Sequence, residues 1–330
     1  MKIAKNLIEV DVSLLKHVCI SRLCGGLSVS NIEANEIFDQ LFYAELCEKW
    51  THGLVRLPWL LKKETRVHKK PSIQKINKFL TYFDCSDSIG YLAAAEIVSY
   101  LVEKIACNDF HIAVGKNIFP TGVLGYYIRK LLKGNIVFIF GTTPNLVKLT
   151  DGKSKVFGTN PFAAGFSYGR KKVFLVDITT AQGSFGELLA GKYGLVNFDK
   201  TKYRTADNCT PNQIDQLFDN NDLFTGSILQ SLKNKSEFRQ YSFMLLIQFL
   251  TTLISQNETK AGDLIFLTIK RNVFGQNSVL DGMLGNIENQ ITTDKIPGMH
   301  SDRLYNLNKK SKKVLIPMKL WKEICALGSP

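Results

Sequence analysis

The chain has 330 residues, of which 45% are hydrophobic and 22% are charged. This length and balance are ordinary for a globular protein, and they exclude a disordered, fibrous or repeat protein. The formal net charge is +13, but the densest lysine pairs lie in short polar connections without aromatic neighbours. We therefore expect a solvated basic surface and no nucleic-acid partner.

Cysteine usage and hydropathy predict the cellular setting. The seven cysteines are widely spaced and form no Cys-x-x-Cys pair, which predicts buried thiols in a reducing cytoplasm and neither disulfides nor a metal site. Charged positions within residues 8–11 break any apolar signal core, so we expect no export signal. The most apolar stretch, residues 243–254, is too short to span a bilayer and predicts a buried helix.

The first third of the chain is predicted to be helical. Apolar positions at helical spacing predict helices within residues 11–49, where Ser30 supplies an N-cap and Glu33 an acidic first turn. Two further helices are predicted over residues 72–83 and 88–106, the second with one apolar face that would pack on a sheet.

Strands and helices mix from residue 110 onwards, which predicts an α/β protein. No Gly-x-Gly-x-x-Gly motif follows a strand, so the usual Rossmann fingerprint is absent. In chain order the pattern predicts a strand at 110–114, a helix at 123–132, strands at 136–140 and 172–178, a segment at 227–232, a helix at 238–254, a strand at 264–269, a helix at 279–291, a strand at 314–317 and a last helix from Met318.

The first cluster with chemical potential is residues 51–56, which read Thr-His-Gly-Leu-Val-Arg. A histidine transfers protons near neutral pH, and an arginine binds a carboxylate through two parallel hydrogen bonds. Gly53 would let the backbone approach a ligand. Alone, His52 next to a glycine is more often a capping or packing feature, and Arg56 more often forms a surface salt bridge.

Two later segments add to this cluster. Residues 157–163 read Phe-Gly-Thr-Asn-Pro-Phe-Ala, and residues 173–180 read Val-Phe-Leu-Val-Asp-Ile-Thr-Thr. In this order the three segments resemble the type-2 malate/L-lactate dehydrogenase family, whose hallmarks are Ser-His-Gly-x-x-Arg, Gly-Thr-Asn-Pro-x-Ala and a Val-Asp-Met strand end. The family also contains sulfolactate dehydrogenases and cyclic-imine 2-carboxylate reductases, and the resemblance runs from about Trp50 to Trp321.

The resemblance implies the family's non-Rossmann α/β fold, like that of sulfolactate dehydrogenase. Residues 1–75 would form a helical N-terminal lobe that residues 296–330 complete. Residues 76–295 would form the α/β lobe that binds the cofactor, either NADH or NADPH. Because family members are dimers with the active site near the interface, the resemblance also implies a homodimer.

The resemblance further implies roles for individual residues. His52 falls on the family's proton donor, Thr51 on its serine and Arg56 on its substrate-side arginine. Positions that fall on or near the family's cofactor contacts are Thr159, Asn160, Val176, Asp177, Ile178, Thr179, Thr180, Ala181, Gln182, Arg239, Pro297 and Gly298.

Some family features are changed in this chain. Pro120 stands where the family has its second active-site histidine, and with Thr121 it is predicted to line the substrate site. Proline can neither titrate nor donate a hydrogen bond. A ketone must gain a proton as hydride arrives, whereas a protonated imine need not, so Pro120 favours an imino substrate.

Three functions follow as hypotheses from these motifs and losses. The first is an NAD(P)H-dependent reductase of a small 2-imino or 2-oxo carboxylic acid, in a specialised biosynthetic pathway. The second is a standard malate- or lactate-type 2-hydroxy-acid dehydrogenase. The third is a catalytically inactive dimeric binding protein, which the weakened segments at Arg239 and Gly298 favour and the retained Thr51, His52 and Arg56 oppose.

Overall fold

The computed structural model describes residues 6–64, 67–168, 172–218, 224–257, 261–275 and 278–327. The strands in these ranges are β1 (Leu7–Asp11), β2 (Ser72–Lys75), β3 (Leu80–Asp84), β4 (Phe110–Lys116), β5 (Asn135–Gly141), β6 (Val147–Leu149), β7 (Pro161–Tyr168), β8 (Lys172–Thr179), β9 (Tyr203–Arg204), β10 (Ser227–Gln230), β11 (Leu264–Lys270) and β12 (Lys313–Pro317). The helices are α1 (Val12–Leu27), α2 (Asn31–Leu46), α3 (Arg56–Lys63), α4 (Gly90–Cys107), α5 (Leu124–Leu131), α6 (Phe185–Lys192), α7 (Lys235–Ser255), α8 (Ser278–Gln290), α9 (Met299–Asn308) and α10 (Met318–Ala326).

Seven strands form one mixed sheet in the order β2-β3-β4-β11-β5-β7-β8. β3 and β4 are parallel, and the other neighbours in this sheet are antiparallel. A smaller sheet has the order β6-β10-β9, and β1 pairs with β12. The α/β class is confirmed, and the mixed main sheet differs from the parallel sheet of a Rossmann fold.

The predicted N-terminal helices are present, and each begins at a side-chain cap. The Asp11 carboxylate accepts hydrogen bonds from two amides in the first turn of α1. Ser30 and Glu33 form a reciprocal capping box at the start of α2, which satisfies amides that otherwise lack partners. The β1-β12 pairing then holds the start of this helical region against the end of the chain.

The helix predicted over residues 72–83 is wrong, because this segment is the β2-β3 hairpin. The Asn77 side chain accepts a hydrogen bond from Leu80 N at 3.0 Å, which stabilises a turn. β3 also pairs with β4, and its alternation buries Thr81 and Phe83. A short apolar pattern fits the periodicity of a helix or of a strand. Here the pairing with β4, about thirty residues away in sequence, favours the strand.

The other predicted elements are confirmed with shifts of a few residues at their ends. α4 buries Leu92, Val98 and Leu101 and packs against β4, as its apolar face predicted, whereas Val102 is exposed. Seven elements were not predicted from the pattern: β1, β6, β7, β9, α3, α6 and α9. Three of them, β7, α3 and α6, contribute to the candidate site.

The prediction that residues 243–254 form a buried helix is wrong for the single chain. α7 buries Met244 and Ile247, but Leu246, Phe249 and Leu253 are exposed at 50%, 64% and 72%. The helix therefore presents an apolar face that this chain leaves uncovered. Among the described residues, no helix is long and apolar enough to cross a membrane.

Two main hydrophobic clusters form the core. One joins the N-terminal helices to α6, the small sheet and α10, and the other fills the space between the main sheet, α4 and α5. α4 takes part in both, because Tyr91 and Leu92 at its start belong to the first cluster and Ala93 onwards to the second. The candidate site opens near this junction.

Candidate active site

A cleft of about 370 Å³ lies between the N-terminal segment before α3, the loop before α5 and the end of β8. Its wall brings together residues that are far apart in sequence. The predicted site residues in this wall are Thr51, His52, Arg56, Pro120, Thr121, Thr159, Asp177, Ile178 and Thr179.

His52 ends a short 3₁₀ turn and faces this cleft. Its Nδ1 lies 2.8 Å from Thr51 Oγ1, so the neighbouring hydroxyl fixes the ring and leaves Nε2 for a ligand. Burial, together with the positive charges of Arg56 and Lys49, lowers the pKa of His52 well below 6.5. In the ligand-free protein His52 is therefore neutral at pH 7.

Arg56 begins α3 and is only 6% exposed. Its Nε donates to Thr51 O at 2.9 Å, and its guanidinium lies 6.0 Å from the ring of Trp59 and 5.6 Å from that of Phe185. Among the described residues it forms no salt bridge, so the surface-salt-bridge interpretation is wrong. A buried guanidinium that lacks a counter-ion among the described residues has the charge and the donors to bind an anion.

Glu45 is a site residue that the sequence analysis missed. Its Oε1 accepts a hydrogen bond from Leu54 N at 2.6 Å, which holds the turn that follows His52. A Cβ on Gly53 would collide with this carboxylate, so Gly53 makes room for Glu45. The sequence instead predicted that this glycine makes room for a ligand. Burial raises the pKa of Glu45 to about 7.

A salt bridge joins two walls of the cleft. Lys49 Nζ lies 3.2 Å from Asp177 Oδ2, and the same oxygen accepts a hydrogen bond from Gly125 N at 2.9 Å. The contact links the N-terminal segment to β8 and to the first turn of α5. Lys49 was also missed, because nothing in its local sequence indicates a partner 128 residues away.

Tyr91 is a third residue that the sequence did not reveal. It is fully buried, and its hydroxyl makes no hydrogen bond in the described structure. Burial raises the pKa of this hydroxyl, and the nearby charge of Arg56 opposes that rise. A Cβ on the cleft residue Gly122 would lie 2.7 Å from the ring. An unused donor therefore lies just behind the cleft wall.

Pro120 lies in the wall at the position where the family's second histidine falls. Its carbonyl packs so closely on Gly90 that a Cβ there would collide with it. Thr121 O accepts a hydrogen bond from Tyr127 Oη at 2.8 Å. The segment is thereby fixed against α4 and α5, and of the described residues in the wall His52 is the one imidazole.

The hydroxyl groups at the end of β8 and just after it form hydrogen bonds within the protein. Thr179 Oγ1 donates to Thr159 O at 2.9 Å, and Thr180 Oγ1 donates to Asn160 O at 2.8 Å. Asn160 is fully buried and donates to Met244 O and to Gln248 Oε1 in α7. These contacts hold β8, the residues before β7 and α7 together. Asn160 itself does not line the cleft.

The remaining predicted cofactor positions lie around this loop. Ala181 is buried and Gln182 N donates to Gln230 Oε1 at 3.2 Å. Pro297 O accepts from Leu175 N along the outer edge of β8, where Gly298 also packs. Arg239 is exposed on α7. None of these five positions lines the cleft, and neither does Val176, which lies within β8.

Two features at or near the end of β8 bear on a nucleotide cofactor, although the second, at the end of β10, does not line the cleft. Ile178 presents an apolar side chain, 45% exposed, at the cleft. Gln230 Nε2, beside Gln182, is buried without a hydrogen-bond partner, and a buried unpaired donor indicates a missing acceptor. Across the described ranges, no three His, Cys, Asp or Glu side chains gather as they would around a metal ion.

Several solved structures share this fold over nearly their whole length. A dehydrogenase from Sinorhizobium meliloti has a TM-score of 0.80 at 19% identity, covering 98% of this chain and 99% of that one. Malate dehydrogenase from Pyrococcus horikoshii has 0.76 at 18% identity, covering 98% and 95%. Delta1-piperideine-2-carboxylate reductase from Pseudomonas syringae pvar. tomato has 0.76 at 13% identity, covering 97% and 100%.

Fold and family together define an oxidoreductase, a dehydrogenase or reductase of 2-hydroxy or 2-oxo acids. The family model described as malate/L-lactate dehydrogenase matches residues 13–194, more than half of the chain. The chain belongs to this family, in its type-2 form, and the resemblance inferred from the motifs is confirmed. A search of curated proteins gives no match.

Proposed function

We propose that the protein is an NADH- or NADPH-dependent reductase of a 2-imino or 2-oxo carboxylic acid. The observation that carries this proposal is the buried Arg56, which has no counter-ion among the described residues, beside the neutral His52. An anionic carboxylate would supply the missing charge and place the neighbouring C=N or C=O within the cleft. His52 and Thr51 would then be the groups that handle a proton.

The charges in the cleft suggest how a bound substrate would favour protonation of His52, the proposed proton donor. In the ligand-free protein the positive Arg56 helps to lower the pKa of His52. A carboxylate bound to Arg56 would offset that charge, so protonation of His52 becomes easier once substrate is present. Thr51 Oγ1 holds Nδ1, so Nε2 is the atom that would donate the proton to a developing alkoxide.

The proposed cofactor contacts are the residues at the end of β8 and those that support them. The bound nicotinamide would supply the hydride. Ile178 would pack against it at the cleft, and Gln230 would offer its unpaired amide nitrogen. The other proposed contacts or supports are Val176, Asp177, Thr179, Thr180, Ala181, Gln182, Thr159, Asn160, Arg239, Pro297 and Gly298.

Pro120 makes an imino acid the favoured substrate. It removes a titratable group from the wall, and general acids and bases contribute about 10²–10⁴-fold to rate. A protonated C=N accepts hydride and becomes a neutral amine, so the loss costs imine reduction less than ketone reduction. An imine reductase in a biosynthetic pathway is the form of this proposal that Pro120 supports.

A substrate comparison tests the proposal directly. Δ1-piperideine-2-carboxylate, Δ1-pyrroline-2-carboxylate, pyruvate and oxaloacetate are assayed side by side, each with NADH and with NADPH. We expect faster reduction of the cyclic imines. Faster turnover of the oxo acids would favour a standard 2-hydroxy-acid dehydrogenase, and cofactor binding without any turnover would favour the inactive binding protein.

We also propose that the protein is a homodimer. The uncovered apolar face of α7, formed by Leu246, Phe249 and Leu253 at helical spacing, supports this assembly because monomers seldom expose such a row. Light scattering after size exclusion should give a dimer mass, and Phe249→Glu with Leu253→Glu should give a monomer. Ile32→Glu, at an isolated exposed apolar residue on α2, is the matched control and should remain dimeric.

A cytoplasmic location belongs to the same proposal. None of the seven cysteines, all of which lie within the described residues, forms a disulfide, as expected in a reducing compartment. The proposed small-molecule partner is a carboxylate, and the proposal includes no nucleic-acid or membrane partner.

A further inference from the structure

A second cavity of about 480 Å³ adjoins the catalytic cleft. Its wall is largely apolar, and the residues that belong to it but not to the cleft include Trp59, Leu60, Pro144 and Phe224. Two charged residues, Lys63 and Glu64, also contribute to the wall. We refer to this cavity as the aromatic chamber.

The aromatic chamber and the cleft share one wall. Phe119, Pro120, Leu146 and Phe185 line both cavities. Pro120 thus stands at the junction, on the position where the family has a histidine. An apolar ring at this point presents no charge or hydrogen bond to a ligand that extends from the cleft into the chamber.

Arg56 lines the cleft and lies close to two aromatic rings of the chamber. Its guanidinium is within about 6 Å of the rings of Trp59 and Phe185, and both rings line the chamber. These two rings are 5.0 Å apart at their centroids, and Phe224 lies 5.5 Å from Phe185. A carboxylate held by Arg56 would therefore lie beside the aromatic surface of the chamber.

We propose that the substrate is a 2-imino or 2-oxo acid with a bulky apolar or aromatic side chain, which the aromatic chamber receives while Arg56 holds the carboxylate. This inference rests on the proposed reductase function and names its substrate class. Apolar area removed from water favours such a side chain, because eight of the ten described residues in the chamber wall are apolar.

The first test measures binding without chemistry. The Kd values of 3-phenylpropanoate and propanoate are determined by isothermal titration calorimetry on the intact protein, with and without NADH or NADPH. Both ligands carry the same carboxylate and differ in the ring. We expect the phenyl ligand to bind at least about 10-fold more tightly, the order expected for burying one ring.

The second test removes part of the chamber. Phe224→Ala should reduce the advantage of 3-phenylpropanoate over propanoate to about 3-fold or less, because Phe224 lines the chamber and not the cleft. The ratio of kcat/KM for phenylpyruvate to that for pyruvate should fall in parallel. Phe110→Ala removes a ring from a partly exposed position on β4, and this control should keep the wild-type ratios.

The outcomes separate the inference from the function on which it rests. Equal Kd values for the two acids, or an unchanged ratio in Phe224→Ala, would overturn the aromatic chamber as the side-chain site and leave the reductase proposal intact. Failure of both acids to bind, with or without cofactor, would instead remove the carboxylate site at Arg56, and the inference would fall with it.

Discussion

Two regions face the same cleft but use their polar groups differently. On the carboxylate side, residues 50–56, the part of the chain that the structure describes offers no counter-ion to the guanidinium of Arg56 and no partner to Nε2 of His52. On the strand-end side, residues 176–182, the hydroxyls of Thr179 and Thr180 already donate to backbone carbonyls. In the first region the charged and hydrogen-bonding groups remain open to a ligand. In the second, the two hydroxyls already form hydrogen bonds that stabilise the fold.

The largest effect is expected at His52, on the carboxylate side. His52→Ala should lower kcat for a 2-oxo acid by about 10²–10⁴-fold, because His52 is the imidazole in the cleft wall and ketone reduction needs a proton. Fluorescence titration should show an almost unchanged Kd for the reduced cofactor, since the strand end is untouched. His17→Ala, on α1, serves as the control. A wild-type kcat in His52→Ala would exclude His52 from the mechanism.

A smaller loss is expected at Arg56. Arg56→Lys should raise KM for a carboxylate substrate by about 10- to 100-fold, because lysine keeps the charge but loses the planar fork. Steady-state kinetics check this, with Arg303→Lys at an exposed ion pair as the matched control. If KM is unchanged, Arg56 serves the packing of Trp59 and Phe185 and the carboxylate lies elsewhere.

The pH dependence should reveal the electrostatic coupling between these two residues. Reduction of a 2-oxo acid needs protonated His52, and its pKa in the free protein lies well below 6.5. The value of kcat/KM, which reports the free enzyme, should therefore fall with rising pH at a lower pH than kcat, which reports the complex. Coinciding profiles would show that the carboxylate does not offset the charge of Arg56.

The smallest effect concerns stability, and it compares a buried hydroxyl on the strand-end side with the unpaired hydroxyl of Tyr91 on α4. Thr180→Val should lower the free energy of unfolding by about 1–3 kcal/mol, because the buried hydroxyl donates to Asn160 O. Tyr91→Phe should change it by less than about 0.5 kcal/mol, since the buried Tyr91 hydroxyl has no partner to lose. Urea unfolding measures both, and a larger loss for Tyr91→Phe would contradict the comparison.

Much of the secondary structure could be predicted from the sequence because most elements carry their own periodicity and caps. The helices α2 and α4 are examples, with a capping box in one and an apolar face in the other. The prediction for residues 72–83 was wrong because their pattern fits either a helix or a strand, and the pairing of β3 with β4 selects the strand. The exposure of α7 also lay beyond the local pattern, which shows hydrophobicity but not whether another element covers it.

The sequence by itself determined the family and indicated Thr51, His52 and Arg56 as candidate site residues, because their types and spacing are local properties of the chain. The tertiary structure decided which side-chain atoms of these residues have a hydrogen-bond or ionic partner among the described residues. Only folding places Lys49 against Asp177, the Glu45 carboxylate behind His52 and the aromatic chamber beside Arg56. Burial and electrostatic coupling depend on neighbours distant in sequence, so the neutral state of His52 and the missing counter-ion of Arg56 emerge only in the folded chain.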